Sequence, residues 1–303
     1  MVFPERHPAV SIVISTYNRS NVLALAIESA CAQTFDDWEM VVVGDACTDD
    51  TAEVVQSFAD ARIRFVNLAE NWGEQSRPNN EGVALSHGRH VAFLNHDDLW
   101  FPDHLERALA TLEGGNAGMV FAVVGLVGGD GAVELRPSWS GRYEPVRVIA
   151  PASGWVVRRE TVELVGPWRS YRDSFLAPSQ DWIRRAQGAG ARIEQVPALT
   201  VLAVQSGFRP GSYARRDDRE QRDLLHRMQK PGFREQILSE VALRSSAELL
   251  RPRSLGDNLG RALGDVARLG LGRKLAPLRA VTRYRRRGGL VDELRQVRGL
   301  PAK

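Results

Sequence analysis

Two adjacent carboxylates, Asp97 and Asp98, stand where the apolar run from His90 to Leu94 has stopped and the helical spacing of Leu105, Leu109 and Leu112 has not yet begun. A carboxylate pair at the carboxyl end of a strand is a natural seat for a hard divalent cation that also holds phosphate oxygens. The same pair would serve equally as an Asx turn or a helix cap. Two other strand ends carry polar residues of matching chemistry. Tyr17 offers a flat ring for stacking a base, and Arg19 or Arg77 a fork for phosphate. The Asp45 carboxylate could accept the imide N–H of uracil or thymine, or the N1–H and amino group of guanine; adenine presents no ring N–H beside a carbonyl. Taken singly, each has an ordinary reading: Tyr17 as a core aromatic, Asp45 as a turn former, Arg77 as a solvated helix charge. Their coincidence on one edge makes them a candidate site for a nucleoside diphosphate.

The elements that must position these groups follow from periodicity. Ala9 to Ser15 (AVSIVIS) is a β-branched strand that ends in Thr16-Tyr17-Asn18-Arg19. A helix follows from about residue 20, with Val22, Leu25, Ala26, Ser29 and Ala30 on one face. Trp38 to Val43 forms a second strand, closing on Gly44-Asp45, and Thr48 or Asp49 should cap the helix through Val54, Val55 and Phe58. Arg62 to Asn67 is a third strand, residues 78–86 a helix, and His90 to Leu94 a fourth strand, with Pro102 suited to the first turn of the next helix. This alternation predicts an α/β fold with a mostly parallel, doubly wound sheet. The polar residues fall after positions 15, 44 and 94, all at carboxyl ends of strands. No GxGxxG follows the first strand and no GxxxxGK[ST] occurs, so dinucleotide and P-loop sites are not expected.

With 303 residues, 43% hydrophobic and 25% charged, the chain can bury a large core and is neither disordered nor disulfide-built. Cys31 and Cys47 are too few for a framework and lack metal-ligand spacing. They read as reduced thiols. MVFPERHPAV has no apolar signal region and no stretch reaches membrane-span length, which points to a cytoplasmic protein. Charge is unevenly spread. Residues 1–207 carry 26 acidic against 17 basic side chains, and residues 208–303 carry 11 against 23. The basic part opens with a charged helix over Arg215 to Lys230, apolar at Leu224, Leu225 and Met228, and is densest at Arg283, Arg285, Arg286 and Arg287. Peripheral contact with an anionic membrane is expected there, each Lys or Arg near the surface contributing about 1 kcal/mol. No nucleic-acid-binding module is recognisable.

Four segments, IVISTYNRS, VVVGDACTDDT, NWGEQSRPNNEGVALSHG and VAFLNHDDLWFPDHL, resemble in order and spacing the donor-side motifs of the GT-A-fold, metal-dependent glycosyltransferases of family two. SGWVVRRETVELVGPW is similar to that family's acceptor-side segment, and Ser179-Gln180-Asp181-Trp182 falls at its Glu-Asp or Gln-Asp pair. The resemblance covers about residues 9–205. It implies a GT-A domain over 1–207, with a donor half to about 112 and an acceptor half beyond; the charge pattern sets off a basic helical region over 208–303. It further implies inverting transfer from a nucleotide diphosphate sugar, a UDP-sugar favoured and dTDP or GDP possible, to a hydroxyl on a saccharide or lipid-linked acceptor, with Mg²⁺ or Mn²⁺ as cofactor.

Carried over by position, Ser15, Tyr17 and Asp45 would line the base and ribose, and Arg77 would lie near the diphosphate. The family's carboxylate-x-carboxylate element reads Asn95-His96-Asp97 here. Asn95 brings no charge, so metal ligation would fall to Asp97 helped by Asp98, with His96 pointing away because hard cations prefer oxygen. Gly44 likewise stands where an aspartate is usual. Asp181 would accept the acceptor's proton at the start of a helix. Of Trp139, Trp155, Trp168, Tyr171 and Trp182, one or two are expected to reach the acceptor. Two other readings are a non-catalytic nucleotide-sugar binding module or scaffold, and a nucleotidyltransferase. The latter would need a glycine-rich basic loop after the first strand, which STYNRS is not.

Overall fold

VSIVIST sets Val10, Ile12 and Ile14 on one face and Val13 between two small serines on the other, without a charge on either, and such a strand suits a place where helices cover both sides. In a computed structural model describing residues 7–136, 143–145, 148–204, 209–250 and 287–300, it is the central strand β1 (Val10–Thr16). The chain continues through α1 (Ser20–Cys31), β2 (Trp38–Gly44), α2 (Thr51–Gln56), β3 (Ile63–Asn67), α3 (Ser76–Ala84) and β4 (His90–Phe93). β1 pairs in parallel with β2 and β4, and β2 with β3. This is the doubly wound half that the alternation predicts.

The second half is mixed. β5 (Asp98–Trp100), α4 (His104–Glu113), β6 (Met119–Val127), β7 (Val133–Arg136), β8 (Trp155–Arg158), α5 (Arg159–Val165), α6 (Pro178–Gly188) and β9 (Ile193–Val204) complete a sheet ordered β3-β2-β1-β4-β8-β6-β9-β5, with β7 on β6. β8 runs antiparallel to β4 and β6, while β6 and β9 are parallel across an irregularity near Val123.

The short β5 is the main departure from the predicted elements. Asp98, expected in a loop, pairs antiparallel with Ala203, Leu99 with Leu202, and Trp100 with Val201. Three residues between two turn signals carry no strand pattern of their own, and β9 recruits them from a hundred residues away. Pro102 accordingly sits before α4 rather than in its first turn.

The described residues past 208 pack on the body. The expected boundary falls at residues 205–208, outside those described. α7 (Arg219–Met228) and α8 (Phe233–Leu250) follow, and Leu224, Leu225, Met228, Phe233 and Ile237 join one buried cluster with Leu99, Phe101 and Leu202. A last described helix, α9 (Gly289–Arg298), lies against the sheet's carboxyl edge. Arg283, Arg285 and Arg286 lie outside the described residues; Arg287 sits with its guanidinium 5.9 Å from the Phe175 ring. No described helix is long and apolar enough to cross a membrane.

Trp155, Trp168 and Trp182 stack on one another with ring centroids 5.7–6.2 Å apart, and Phe93 meets Trp168 edge-on. They and Tyr171 are buried. The expectation that one or two of them reach an acceptor is thereby corrected for these four; Trp139 lies outside the described residues. They are the core on which α5, α6 and β8 meet.

His104, at the start of α4, is fully buried, its Nδ1 2.8 Å from Thr200 Oγ1 and its ring 4.4 Å from that of Trp100. Its Nε2 has no partner among the described residues, so burial drives the imidazole pKa down to about 3. The folded state therefore holds this side chain neutral where the unfolded chain, with an ordinary value near 6.5, binds a proton. Stability should rise with pH between about 3 and 6.5. In His104→Leu that limb should be shallower, as read from urea midpoints at pH 4.5 and 7.

Candidate functional site

Each parallel strand delivers its polar residues to the same edge because parallel strands share a carboxyl end. Ser15 and Tyr17 from β1, Asp45 from β2, and Asn95 and Asp97 after β4 converge on one cavity of about 240 Å³. Sequence spacing alone places these five together.

Asp45 is 4% exposed and its carboxylate does structural service. Oδ1 accepts the Trp72 backbone N–H at 2.7 Å, and Oδ2 accepts those of Gly73 at 2.7 Å and Asn71 Nδ2 at 3.1 Å. It ties the loop between β3 and α3 to the end of β2. The neighbouring Gly44 has a steric reason. A Cβ there would lie 2.5 Å from Asn67 Oδ1, and Asn67 is in use, accepting the Cys47 N–H at 2.8 Å and donating to the Cys47 carbonyl at 2.9 Å. Asn67 braces the turn at the position an aspartate side chain at 44 would occupy.

Asp97 and Asp98 part company. Asp97 lines the cavity. Asp98, in β5, is 3% exposed and points into the protein, where its Oδ2 accepts the Ser153 hydroxyl at 2.5 Å and Asn95 Nδ2 at 2.9 Å. Burial, with the Asp97 charge beside it, pushes the Asp98 carboxyl up to about 8. Asp98 thus orients Asn95 and the Ala152–Gly154 turn instead of standing beside Asp97 on the cavity wall. His96 also lines the cavity, with its Nδ1 3.2 Å from the Ser15 carbonyl oxygen and its ring edge-on to that of Tyr213.

The basic residues also divide. Arg77 is half exposed, pairs with Glu81 at 3.4 Å, and is absent from the cavity wall. Arg19 is 2% exposed, its guanidinium 5.1 Å from the Tyr213 ring, with Nε and Nη1 lacking partners among the described residues. Asp181 lies in the first turn of α6, whose Pro178 lines the cavity, but its own carboxylate is engaged. Oδ2 is 3.0 Å from Arg185 Nε and Oδ1 accepts from Ser174 Oγ at 3.4 Å. In this arrangement Asp181 stands one turn away from the cavity wall.

Three contributors escaped the sequence reading. Glu74 lines the cavity, accepts the Ser76 N–H at 2.7 Å, and has its carboxyl raised to about 7 by burial. Tyr213, from the segment before α7, places its ring 6.4 Å from Tyr17. Arg295 and Arg298 reach the cavity from α9. Only for α9 did a signal exist: Val291, Leu294, Arg295 and Arg298 recur at i, i+3, i+4 and i+7, one face of a helix.

A half-parallel, half-mixed sheet with helices on both faces and a polar cavity at the parallel carboxyl ends is a GT-A glycosyltransferase architecture. Residues 11–162 match the family described as Glycosyl transferase family 2. The chain belongs to that family. Among curated relatives, TuaG of Bacillus subtilis, named for teichuronic acid biosynthesis, is 33% identical over 126 residues, which is 41% of this chain and 50% of that protein. The chain spans about half the length of the curated relatives it matches first. Among solved structures, TarS 1–349 of S. aureus in complex with UDP-GlcNAc superposes with a TM-score of 0.57 at 19% identity, covering 96% of this chain and 90% of that one. The mannosyltransferase PcManGT of Pyrobaculum calidifontis, in complex with GDP-Man and Mn²⁺, gives 0.56 at 20% identity over 96% and 88%. At these identities the two structures attest the fold.

Proposed function

We propose that this protein transfers a sugar from a nucleoside diphosphate sugar to a hydroxyl group of a saccharide or lipid-linked acceptor, with inversion at the anomeric carbon. The observation that carries the reading is the convergence of Ser15, Tyr17, Asp45, Asn95 and Asp97 from three strand ends on one cavity. Family membership supports it, as do the nucleotide-sugar complexes of its structural neighbours.

In this reading Tyr17 stacks the base and Asn95 hydrogen-bonds a donor hydroxyl. The residues fit a divalent cation in one way only. Among the described residues no group of three or more His, Cys, Asp or Glu side chains could enclose one, so Asp97 would hold it jointly with donor phosphate oxygens and water, a sharing normal for Mg²⁺. Bound there, Mg²⁺ or Mn²⁺ supplies positive charge where the leaving diphosphate gains negative charge. Asp181 takes the acceptor proton after its carboxylate swings out of its pair with Arg185; catalytic contacts often tighten only once substrate binds.

Isothermal titration with UDP, GDP, dTDP and ADP, each with Mn²⁺ and with EDTA, tests the reading. One non-adenine nucleotide should bind, and only with metal. If none binds, the protein is no nucleotide-sugar enzyme and the scaffold alternative takes its place.

Glu74 adds a pH signature. Neutral below about 7, it becomes charged above that value on a wall that faces an anionic donor. Affinity for a nucleotide sugar, whose diphosphate is ionised throughout, should fall about fivefold between pH 6 and pH 8, the equivalent of ~1 kcal/mol between screened like charges. Glu74→Gln should abolish that dependence in titrations with the nucleotide sugar itself.

A further inference from the structure

α9 is seated on the cavity by contacts to both halves of the body. The Gly288 N–H donates to the Ser174 carbonyl at 3.0 Å, the Gly211 N–H donates to the Val297 carbonyl at 3.0 Å, and Arg295 Nη1 donates to the Gly73 carbonyl. Gly288 has φ +77°, and a Cβ there would lie 2.9 Å from the Tyr171 ring, so the helix can begin this close to the Tyr171–Asp173 turn only from a glycine. The face carrying Val291, Leu294, Arg295 and Arg298 is thereby laid over Asp97, Tyr17 and Asp45.

Three arginines, Arg19, Arg295 and Arg298, crowd one tyrosine. Arg19 and Arg298 set their guanidinium carbons 5.1 and 5.9 Å from the centre of the Tyr213 ring, and the fields of all three, with that of Asp97, act on its phenol. Arg19 Nε and Nη1 and Arg298 Nε are buried and have no hydrogen-bond partner among the described residues. A buried guanidinium N–H with nothing to donate to is costly, and an anion of tetrahedral oxygens is the ligand that relieves it. At the strand end beside them, Asn95 has taken a negative charge away. Arg295 and Arg298 thus bring to the cavity wall two cations that the motif pattern does not include.

We infer that Arg298 binds the diphosphate of the donor, with the buried Arg19 adding its charge from behind the Tyr213 ring, so that α9 supplies from the far end of the chain part of the charge that neutralises the leaving group. The inference rests on the donor reading given above.

The test compares wild type, Arg298→Gln and Arg298→Lys in titrations with UDP and with uridine, Mn²⁺ present throughout. Arg298→Gln should weaken UDP about 10- to 100-fold, the loss of one charge-assisted contact, and leave uridine unchanged. Arg298→Lys should recover part of the loss, since lysine keeps the charge but not the fork. If UDP binds wild type and Arg298→Gln alike, or if UDP and uridine weaken together, the helix is only structural and the assignment is overturned. A wild type that binds neither UDP nor, in its place, GDP or dTDP overturns the donor reading and this assignment with it. Should Arg298→Gln melt early, Arg298→Lys and Arg19→Lys carry the same UDP-against-uridine comparison.

Discussion

Asp97→Ala is expected to lower kcat/KM for sugar transfer by about a thousandfold or more, equivalent to ~4 kcal/mol of transition-state stabilisation. Asp97 is the carboxylate that remains at the β4 end of the cavity wall once Asp98 has turned inward and Asn95 has replaced an acid. No neighbouring acid on that strand end can substitute for it. Metal-dependent nucleotide binding should vanish in the same variant, while the thermal midpoint stays near that of wild type because Asp97 is a half-exposed loop residue. Asp98→Ala should behave in the opposite order. It strips Ser153 and Asn95 of their buried acceptor, so stability falls first. A variant at 97 that transfers sugar at wild-type rate would overturn the metal assignment.

Trp182→Ala should be the most damaging single change to the fold, at about 3–5 kcal/mol. Trp182 is fully buried, stacks on both Trp155 and Trp168, and donates its Nε1–H to the Gly166 carbonyl at 3.0 Å. Truncation opens a cavity at the junction of three elements and orphans a carbonyl. For a domain of this size the melting temperature should drop by on the order of 10 °C. Trp182→Phe keeps an aromatic ring in the stack and should cost less than half as much. Differential scanning calorimetry of the pair distinguishes packing from the lost hydrogen bond.

What the sequence makes legible here is local. β1 and β2 are continuous apolar runs, so their ends, and with them Ser15, Tyr17 and Asp45, can be placed from neighbours within ten residues. Asp98 could not be told from Asp97 because its direction is set by β9 and by Ser153, more than fifty residues away. The tryptophans misled for a related reason. A large aromatic after the donor motifs suits a sugar face or a core equally, and only the meeting of α5, α6 and β8 decides between them. Asp45 and Asp181 were read as groups available to substrates, yet each is spoken for by protein donors that no periodicity reveals. α9 shows its amphipathic face in sequence, but nothing local tells that the face closes over residues two hundred positions earlier.

The burial of the stacked tryptophans gives the protein two separable optical reporters. Trp38, Trp100, Trp155, Trp168 and Trp182 are each at most 4% exposed, whereas Trp72 is 43% exposed on the loop that Asp45 holds, with Arg77 above its ring. In a Trp139→Phe background, iodide should quench the emission of Trp72 and spare the buried rings. Iodide access to Trp72 then follows the set of the loop that Asp45 ties to β2, while the near-ultraviolet dichroism of the coupled indoles follows the integrity of the fold, so one cuvette separates a protein whose loop has shifted from one that has lost its shape.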